Sequence, residues 1–408
     1  MKRLLWPLGL AALISSPMVV SAQPAATDST RLTLDLAQQL AAARSFELSA
    51  AQHEVDAADG GVQQAGARRN PELSTTVEDM RSATRVTTAT IGFPLELGGK
   101  RAARLTAAER ARDVACAQLA SVRAKVRAEV VADYFAVVAA QERVKLTEDS
   151  ARLAAQAADV VGKRVAAGKV SPVDAARARV DAANAQLEVA EARAELHAAR
   201  QALAAVWGDA EPRFAEVDGR PTDVPSRSST SELLREVDAS PSLVSSRLEV
   251  DAREALVDVE RSKAVPDVVV SVGAKRDNEL GLTQALVGVT IPLPVFDRNQ
   301  GAAYAASRRA DKAREEYEAA RVRLIAEVSQ ASAQLSTARN SLAVLRDTVL
   351  PAAQHAYEAS TTGFEAGKFG FLDVIDAQRS LLQARARTLN TLVAAWRAAT
   401  TIDRLLGR

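Results

Sequence analysis

Two carboxylates, Asp373 and Asp376, have the spacing that most clearly allows a chemical role in this sequence. They stand three positions apart at the start of a predicted helix, so both face one side of its first turn. Carboxylates at that place can stabilise a helix N-terminus by about 0.3–1 kcal/mol each. They can also form an acidic site that attracts cations. The spacing alone leaves both roles open.

A similar helix start occurs earlier in the chain, at Asp174. Ser171 and Pro172 precede this acid, and a capping serine followed by proline is a good way to begin a helix. Arg177 stands where the later helix has Asp376. The sequence therefore favours a structural role for Asp174 over an acidic site.

Other residues with catalytic or metal-binding potential are isolated. The three histidines, His53, His197 and His355, fall on separate predicted helices, which argues against a shared metal site. The single cysteine, Cys116, excludes an internal disulfide and any cysteine-based zinc site. Because alanines flank it on both sides, we expect Cys116 to be a small buried residue.

Gly98-Gly99-Lys100 could be mistaken for part of a phosphate-binding loop. Pro94 stands where the first glycine of that motif should fall, and Arg101 stands where Ser or Thr should follow the lysine. The sequence thus predicts neither an enzyme nor a bound cofactor.

The composition points to long helices. The 408 residues include 52 Lys and Arg against 51 Asp and Glu, so the chain lacks the basic excess that nucleic-acid binding requires. Aromatic residues make up only 4% of the chain, and Ala accounts for about a fifth of it. Abundant Ala, Arg, Glu and Leu favour closely packed helices.

Residues 1–22 have the pattern of a signal peptide. Lys2 and Arg3 precede a short apolar run, and Val20-Ser21-Ala22 matches the usual cleavage pattern. The rest of the chain has no continuous apolar stretch long enough for a transmembrane helix. We therefore expect an exported protein that could enter a membrane only through β-strands.

The mature chain contains two copies of one unit. Ala167-Gly168-Lys169 matches Ala366-Gly367-Lys368, and Trp207-Gly208 matches Leu406-Gly407, both at an offset of 199 residues. Two copies at a constant offset indicate a duplicated architecture. The first copy covers residues 23–207 and the second covers 230–408. Residues 208–229 between them have the Pro, Gly, Ser and Thr content of a linker.

Each copy has the same order of predicted elements. A helix (33–68 and 230–264) precedes two short strands, a very long helix (100–167 and 300–366) and a last helix (172–207 and 371–406). The long stretches would span roughly 100 Å each, and each shorter helix about half of that. Apolar residues seven apart, such as Val374 and Leu381, favour coiled-coil packing.

The segments before each long helix alternate with a period of two, as strands do. In the second copy, Val268, Val270, Val272 and Ala274 lie on one face of the first strand, and its partner strand has Ala285, Val287, Val289 and Ile291 on one face. The predicted strands cover residues 71–80, 86–95, 266–275 and 283–292. Each has the length of a tilted membrane strand.

Four strands are too few to close a barrel, whose lower limit is about eight. Two chains would give a barrel whose interior is nearly filled, whereas three chains would leave a lumen. We therefore predict a mainly α fold with a small β part: a duplicated unit of long coiled-coil helices and two β-hairpins. Three copies would form a 12-stranded outer-membrane β-barrel on an α-helical periplasmic tunnel.

The chain resembles the TolC family of outer-membrane efflux proteins over essentially its whole mature length. The most specific part is Gly363-Phe364-Glu365-Ala366-Gly367-Lys368-Phe369-Gly370-Phe371-Leu372-Asp373-Val374-Ile375-Asp376-Ala377. Residues 165–176 are a weaker match to the same pattern, since they lack the aromatic residue. Glu96-Leu97-Gly98-Gly99-Lys100-Arg101 is similar to the cobalt-zinc-cadmium branch of the family.

The resemblance implies a passive homotrimeric conduit in the outer membrane of a Gram-negative bacterium. It would contact outer-membrane lipid, extend into the periplasm, and work with a periplasmic adaptor protein and an inner-membrane RND pump. Matching acids line the periplasmic entrance in the family, which makes Asp373, Asp376 and Asp174 gate candidates. The hairpin tips would dock the adaptor, and the candidate docking residues there are Gly168, Lys169, Gly367, Lys368 and Phe369.

Several alternatives remain open from the sequence. Within the conduit interpretation, heavy-metal cations such as cobalt, zinc, cadmium or nickel compete with organic drugs and with type I protein secretion as cargo. A periplasmic adaptor is a more distant alternative, because adaptors lack two membrane-type hairpins and a duplicated layout. A purely structural coiled-coil protein would not need the paired strands.

Overall fold

The computed structural model describes residues 31–219 and 225–408, so the predicted signal peptide lies outside the described residues. The mainly helical class with a small β part is confirmed. The helices are α1 (Leu34–Arg44), α2 (Phe46–Gly66), α3 (Lys100–Ala166), α4 (Pro172–Ala205), α5 (Thr230–Arg235), α6 (Pro241–Ser262), α7 (Gln300–Val344), α8 (Leu350–Glu365) and α9 (Phe371–Leu406). The strands are β1 (Arg31–Leu32), β2 (Glu72–Glu78), β3 (Val86–Leu95), β4 (Glu216–Val217), β5 (Val268–Asp277) and β6 (Leu282–Thr290).

The central element is α3, whose 67 residues extend over roughly 100 Å. Two shorter helices, α2 and α4, lie in succession along it. An ion pair between Glu47 and Lys125 (2.8 Å) joins α2 to the first half of α3. A second pair, between Glu148 and Arg193 (2.7 Å), joins α4 to the second half. On the other side of α3, α6 packs along the first half and α9 along the second.

The long helix of the second repeat contains an interruption that the sequence analysis missed. Between α7 and α8, residues Leu345–Val349 form a π turn. Pro351 follows it in the first turn of α8. Proline has no N–H to donate, and its ring clashes with the carbonyl four residues earlier. A wider turn at this point lets the helix continue past the proline.

The first helix of each repeat is broken, which corrects the prediction of single helices over 33–68 and 230–264. Ser45 separates α1 from α2, and Ser240 precedes α6; both have extended backbones (ψ 122° and 141°). Both serines are buried. The next residue packs against a glycine at the end of the same repeat: Phe46 against Gly208, and Pro241 against Gly407. Tertiary packing fixes these breaks.

Each repeat has its own hydrophobic core near the break in its first helix. The first surrounds Tyr134 of α3, whose hydroxyl donates to the backbone carbonyls of Leu32 (3.1 Å) and Asp218. Burial raises the pKa of Tyr134 to about 12. Leu32 in β1 pairs in parallel with Val217 in β4. Part of the segment predicted as a linker is therefore tied to the first core.

The remaining four strands form one antiparallel sheet with the order β2-β3-β5-β6. The hairpins β2-β3 and β5-β6 come from the two repeats, and β3 pairs with β5 to join them. Within the described chain, the outer edges of β2 and β6 pair with no other strand. The strand bounds differ from those predicted by at most two residues.

Candidate functional site

The sheet has one apolar face. Cross-strand pairing places Ile91 beside Val272, and Val272 beside Val287. Val287 is 79% exposed, and its neighbours on this face are also open to the surroundings. The face that the alternation predicted in the second repeat thus continues across the strands of the first. An exposed apolar sheet face of this kind requires an apolar environment.

The opposite face is more polar and has several small residues, although Val269 and Leu286 also lie on it. Thr90 lies beside Gly273, and Lys275 lies beside Gln284. At Gly273 an added Cβ would overlap the backbone of the neighbouring strand, so the strands approach closely there. The sheet therefore separates an apolar side from a more polar side, as the alternation of strands with two different surroundings does.

Below the sheet lies a cluster of five charged residues, which we call the junction network: Arg69, Glu96, Lys100, Arg104 and Asp267. Lys100 Nζ donates to Asp267 Oδ1 at 2.5 Å, and Arg104 Nη2 donates to Glu96 Oε2 at 3.1 Å. Arg69 bridges the two pairs, at 3.3 Å from Glu96 and 3.4 Å from Asp267. The side chains of Glu96, Lys100 and Asp267 are only 9%, 11% and 18% exposed.

The network shifts the titration of its acids. Hydrogen bonding by Arg104 lowers the pKa of Glu96 and outweighs the effect of burial. Burial alone would raise the pKa of Asp267, but the hydrogen bond and charge of Lys100 leave it below its ordinary value. Both carboxylates are therefore held in the charged form that their partners need.

This arrangement explains the segment Glu96-Leu97-Gly98-Gly99-Lys100-Arg101. Gly99 has a positive φ of 72° and starts α3, while Glu96 and Lys100 turn inward to partners. Because Asp267 belongs to the second repeat, the network fixes the end of β3 against the beginning of β5. The segment that suggested a metal-exporting branch thus has a structural role in this chain.

The first hairpin tip joins α3 to α4. Gly168 adopts a positive φ of 68°, and the N–H of Lys169 donates to the carbonyl of Arg164 (2.9 Å). Such a left-handed residue satisfies the last carbonyls of a helix. Ser171 then caps α4 by accepting from the N–H of Val173 (3.2 Å). Asp174 lies in the first turn of α4 and is partly exposed.

The second tip joins α8 to α9 with the same backbone pattern. Gly367 has a φ of 74°, and the N–H of Lys368 donates to the carbonyl of Gly363 (2.8 Å). The ring of Phe369 lies directly on Gly363, where a Cβ would overlap it. Lys368 and Phe369 are otherwise exposed. The sequence analysis correctly placed both glycines at turns, but it gave no reason for Gly363.

The two candidate acids of α9 have different surroundings. Asp373 Oδ2 accepts a hydrogen bond from the N–H of Gly370 (2.8 Å), so its carboxylate satisfies a donor at the helix start. Asp376 is exposed, and its backbone carbonyl accepts from the hydroxyl of Ser380. Asp373 thus has the capping contact expected for a structural role, while the Asp376 carboxylate is open to solvent.

Two contacts connect the tips and were not foreseen. The guanidinium of Arg164, at the end of α3, lies 4.1 Å from the ring centre of Phe364 in α8. Arg379 of α9 donates to Asp181 of α4 at 3.2 Å. Asp181 lies seven residues after Asp174, so helical periodicity places both on one face of α4. No short-range signal could show that α9 lies opposite that face.

The three histidines lie in separate helices: His53 in α2, His197 in α4 and His355 in α8. Within residues 31–219 and 225–408, no group of three or more metal-ligating side chains is close enough to hold an ion. The expectation for Cys116 is wrong, because its side chain is exposed although Ala115 and Ala117 are buried. Successive helix residues point about 100° apart, so a residue between two buried ones can face outward.

No helix in the described residues is both long and apolar enough to cross a membrane. The model of the family described as "Outer membrane efflux protein" matches residues 37–209 and 235–408, one match for each repeat. The chain belongs to the outer membrane efflux protein family. It is therefore an outer-membrane channel protein that extends into the periplasm, and it is not an enzyme.

Named relatives and solved structures agree with this family. The chain is 52% identical over 418 aligned residues to the cobalt-zinc-cadmium resistance protein CzcC of Cupriavidus metallidurans, with full coverage of both chains. It is 37% identical to the nickel and cobalt resistance protein CnrC of the same organism, over 74% of this chain and 73% of that one. The outer membrane protein VceC of Vibrio cholerae has the same fold, with a TM-score of 0.78 and 20% identity over 92% and 96% of the two chains.

Proposed function

We propose that this chain is the outer-membrane conduit of a tripartite efflux system for heavy-metal cations such as cobalt, zinc, cadmium or nickel. The assignment of metal cations as the cargo is supported by the 52% identity, along the full chain, to a protein named for cobalt-zinc-cadmium resistance. The conduit itself is passive. An inner-membrane RND pump drives transport, and a periplasmic adaptor connects the pump to the conduit.

The assembly in this proposal is a homotrimer. One chain supplies a four-stranded sheet whose edges, β2 and β6, have unpaired backbone groups. Such groups cost several kcal/mol each in lipid unless another strand pairs with them. Three copies give a closed barrel of twelve strands with an open lumen. The apolar face then meets lipid, and the polar face lines the lumen.

The acids of the hairpin tips belong to the periplasmic entrance in this proposal. Threefold symmetry would bring six carboxylates from Asp373 and Asp376 into a narrow ring, where a passing cation relieves their mutual repulsion. The exposure of Asp376 supports this role. Asp373 serves the helix start as well. Asp174 remains a weaker gate candidate, because the corresponding second acid is replaced by Arg177.

The hairpin tips themselves form the adaptor-docking surface in this proposal. Gly168 and Gly367 make both turns compact, and Lys169, Lys368 and Phe369 are exposed at their ends. Exposed basic side chains next to an aromatic ring can contact both the acidic and the apolar groups of a partner helix.

The cargo is tested in a strain of the source bacterium that lacks this protein. We expect lower tolerance to cobalt, zinc, cadmium or nickel, restored by a plasmid copy of the chain. Minimal inhibitory concentrations of these metals and of a panel of organic drugs are measured together. Unchanged metal tolerance with new sensitivity to the drugs would reject the metal cargo while keeping the conduit.

A further inference from the structure

The apolar face of the sheet does not end with β6. Ile291 and Leu293 continue the alternation of Val287 and Val289 beyond the last residue of the strand, and Leu293 is 80% exposed. The chain then bends, and Val295 N–H donates to the carbonyl of Leu293 (2.8 Å). The bend carries Phe296, whose exposed fraction of 93% is very high for an aromatic residue.

The corresponding segment of the first repeat is different. There Leu95 and Leu97 are about half covered, and Glu96 between them is held in the junction network. That segment follows β3, an internal strand with a neighbour on each side. Among the described residues, the segment after β6 takes part in no comparable ion network, and its apolar side chains are more exposed. Its exposure is thus specific to the second repeat and is not a consequence of the duplicated layout.

The exposed segment is anchored at its far end. Asn299 starts α7 with a positive φ of 59°, and its side-chain amide donates to both the carbonyl and the carboxylate of Glu260 in α6 (2.8 and 2.7 Å). Immediately before it, Arg298 is exposed and lies close to the loop, with Nε donating to the carbonyl of Pro294 (3.2 Å). A positive group therefore stands beside the apolar side chains, while the neighbouring Asp297 carboxylate accepts a hydrogen bond from the N–H of Asn299 (2.8 Å).

We propose that residues 293–298, here called the interfacial loop, bind the phospholipid leaflet on the periplasmic side of the outer membrane. Leu293, Val295 and Phe296 lie at the boundary between acyl chains and headgroups, and the Arg298 guanidinium contacts lipid phosphate. Apolar and aromatic side chains next to a basic residue are typical of segments that lie in this zone. The loop continues the face that meets lipid.

Geometry favours lipid over a second copy of the chain as the occupant. A neighbouring copy would pair with the backbone edge of β6, in the plane of the sheet. The exposed side chains of Ile291 and Leu293 instead continue the alternation that projects from the face of the sheet, as Val287 and Val289 do. Because these side chains are continuous with the apolar face, they meet the same lipid that covers that face.

The inference rests on the proposed placement of the sheet in the bilayer, and spin labels can test the two separately. The background is the full chain with Cys116→Ser, reconstituted into liposomes of phosphatidylethanolamine and phosphatidylglycerol. A nitroxide is attached in turn at Phe296→Cys, at Val287→Cys on the apolar face, and at Val322→Cys, which is 66% exposed in the middle of α7. Accessibility to oxygen, which concentrates in lipid, and to a water-soluble nickel chelate is measured at each site.

We expect the ratio of oxygen to nickel accessibility at Phe296→Cys to rise above that at Val322→Cys and approach that at Val287→Cys. High nickel accessibility at position 296 would place the loop in water and overturn the proposal. A rigid label that neither reagent reaches would place it against a second copy, with the same consequence. In both cases a lipid profile at Val287→Cys would leave the conduit intact.

A water-like profile at Val287→Cys would reject the bilayer placement of the sheet and the interfacial loop together. If Phe296→Cys does not assemble, the same measurement at Leu293→Cys decides the question. Its side chain lies on the continued apolar face, so the expected profile is the same.

Discussion

Removing the carboxylate of Asp267 tests whether the junction network holds the sheet to the helices. In Asp267→Ala, Lys100 loses the partner 2.5 Å away, and its side chain is only 11% exposed. Breaking a buried ion pair by removing one partner costs about 3–5 kcal/mol. Because both side chains retain some contact with solvent, we expect about 3 kcal/mol. The N–H of Leu97 also loses an acceptor.

Because the network gives Asp267 a second partner, removing Lys100 should cost less stability than removing Asp267. In Lys100→Met, Asp267 keeps Arg69 at 3.4 Å, so the remaining charge still has a partner. We therefore expect Lys100→Met to be less destabilising than Asp267→Ala. Replacing both together, with Lys100→Met and Asp267→Leu, should recover much of the loss, because a well-packed apolar pair can replace a buried ion pair.

The control is Asp311→Ala, which also removes an aspartate that contacts two arginines. Asp311 lies 2.8 Å from Arg308 and 2.6 Å from Arg314, but on the exposed surface of α7. Exposed pairs contribute about 0–1 kcal/mol. A difference between the two aspartate variants therefore reports burial and not the loss of an aspartate as such.

The assay is the rate of irreversible thermal unfolding of the purified protein in detergent, followed by loss of helical circular dichroism. Large assembled proteins are best compared by such rates. If the network is still intact in the transition state for unfolding, the rate will not change, so the assembled fraction at equal temperature is measured as well. A loss of about 3 kcal/mol corresponds to an increase in rate of up to about 100-fold. Equal behaviour of Asp267→Ala and Asp311→Ala in both measurements would refute the reasoning.

Three further predictions follow from the titration, the entrance and the second tip. The pKa values of Glu96 and Asp267 lie below their ordinary values of 4.5 and 3.8. The stabilisation from these carboxylates is therefore fully present above the ordinary values and is lost as pH falls through the lower folded-state pKa values. Thermal unfolding should accelerate below about pH 4, and the acceleration should be smaller in Glu96→Gln. Asp373→Asn with Asp376→Asn should fold and assemble, because Asn is a comparable cap, but bilayer recordings should show weaker cation preference; unchanged selectivity would leave capping as the role of both acids. Gly363→Ala should displace the ring of Phe369 and reduce metal tolerance in cells, whereas full tolerance would show that the ring position is unimportant for docking.

The elements of this fold follow from local patterns, whereas only some of their interruptions do. The period of two identified all four strands of the sheet, because alternation persists wherever two faces differ. The break at Ser45 has no local signal, since it depends on packing of Phe46 against Gly208 at the far end of the repeat. The break at Ser240 could have been predicted, because Pro241 begins the next helix there. Pro351 similarly marks the π turn.

In the candidate site, too, residues with a local signal were predicted, and residues whose role depends on distant partners were not. Glycines at the tips are recognisable because a left-handed turn after a helix requires them. The roles of Glu96 and Lys100 were not recognisable, because their partner Asp267 is about 170 residues away in the sequence and belongs to the other repeat. The charged residues of the segment 96–101, which resembles a metal-exporting branch, thus form ion pairs that join the two repeats.

The two repeats diverge most where their positions in the sheet differ. The segment after β3 follows an internal strand, and Glu96 there ties it to the helices below. The segment after β6 follows an edge strand, and in its place stand Leu293 and Phe296, both open to the surroundings. A duplicated unit that forms one sheet must give its copies different neighbours. At this level the first copy therefore supplies most of the charged groups that join the repeats, whereas the second leaves Leu293 and Phe296 exposed within the described chain.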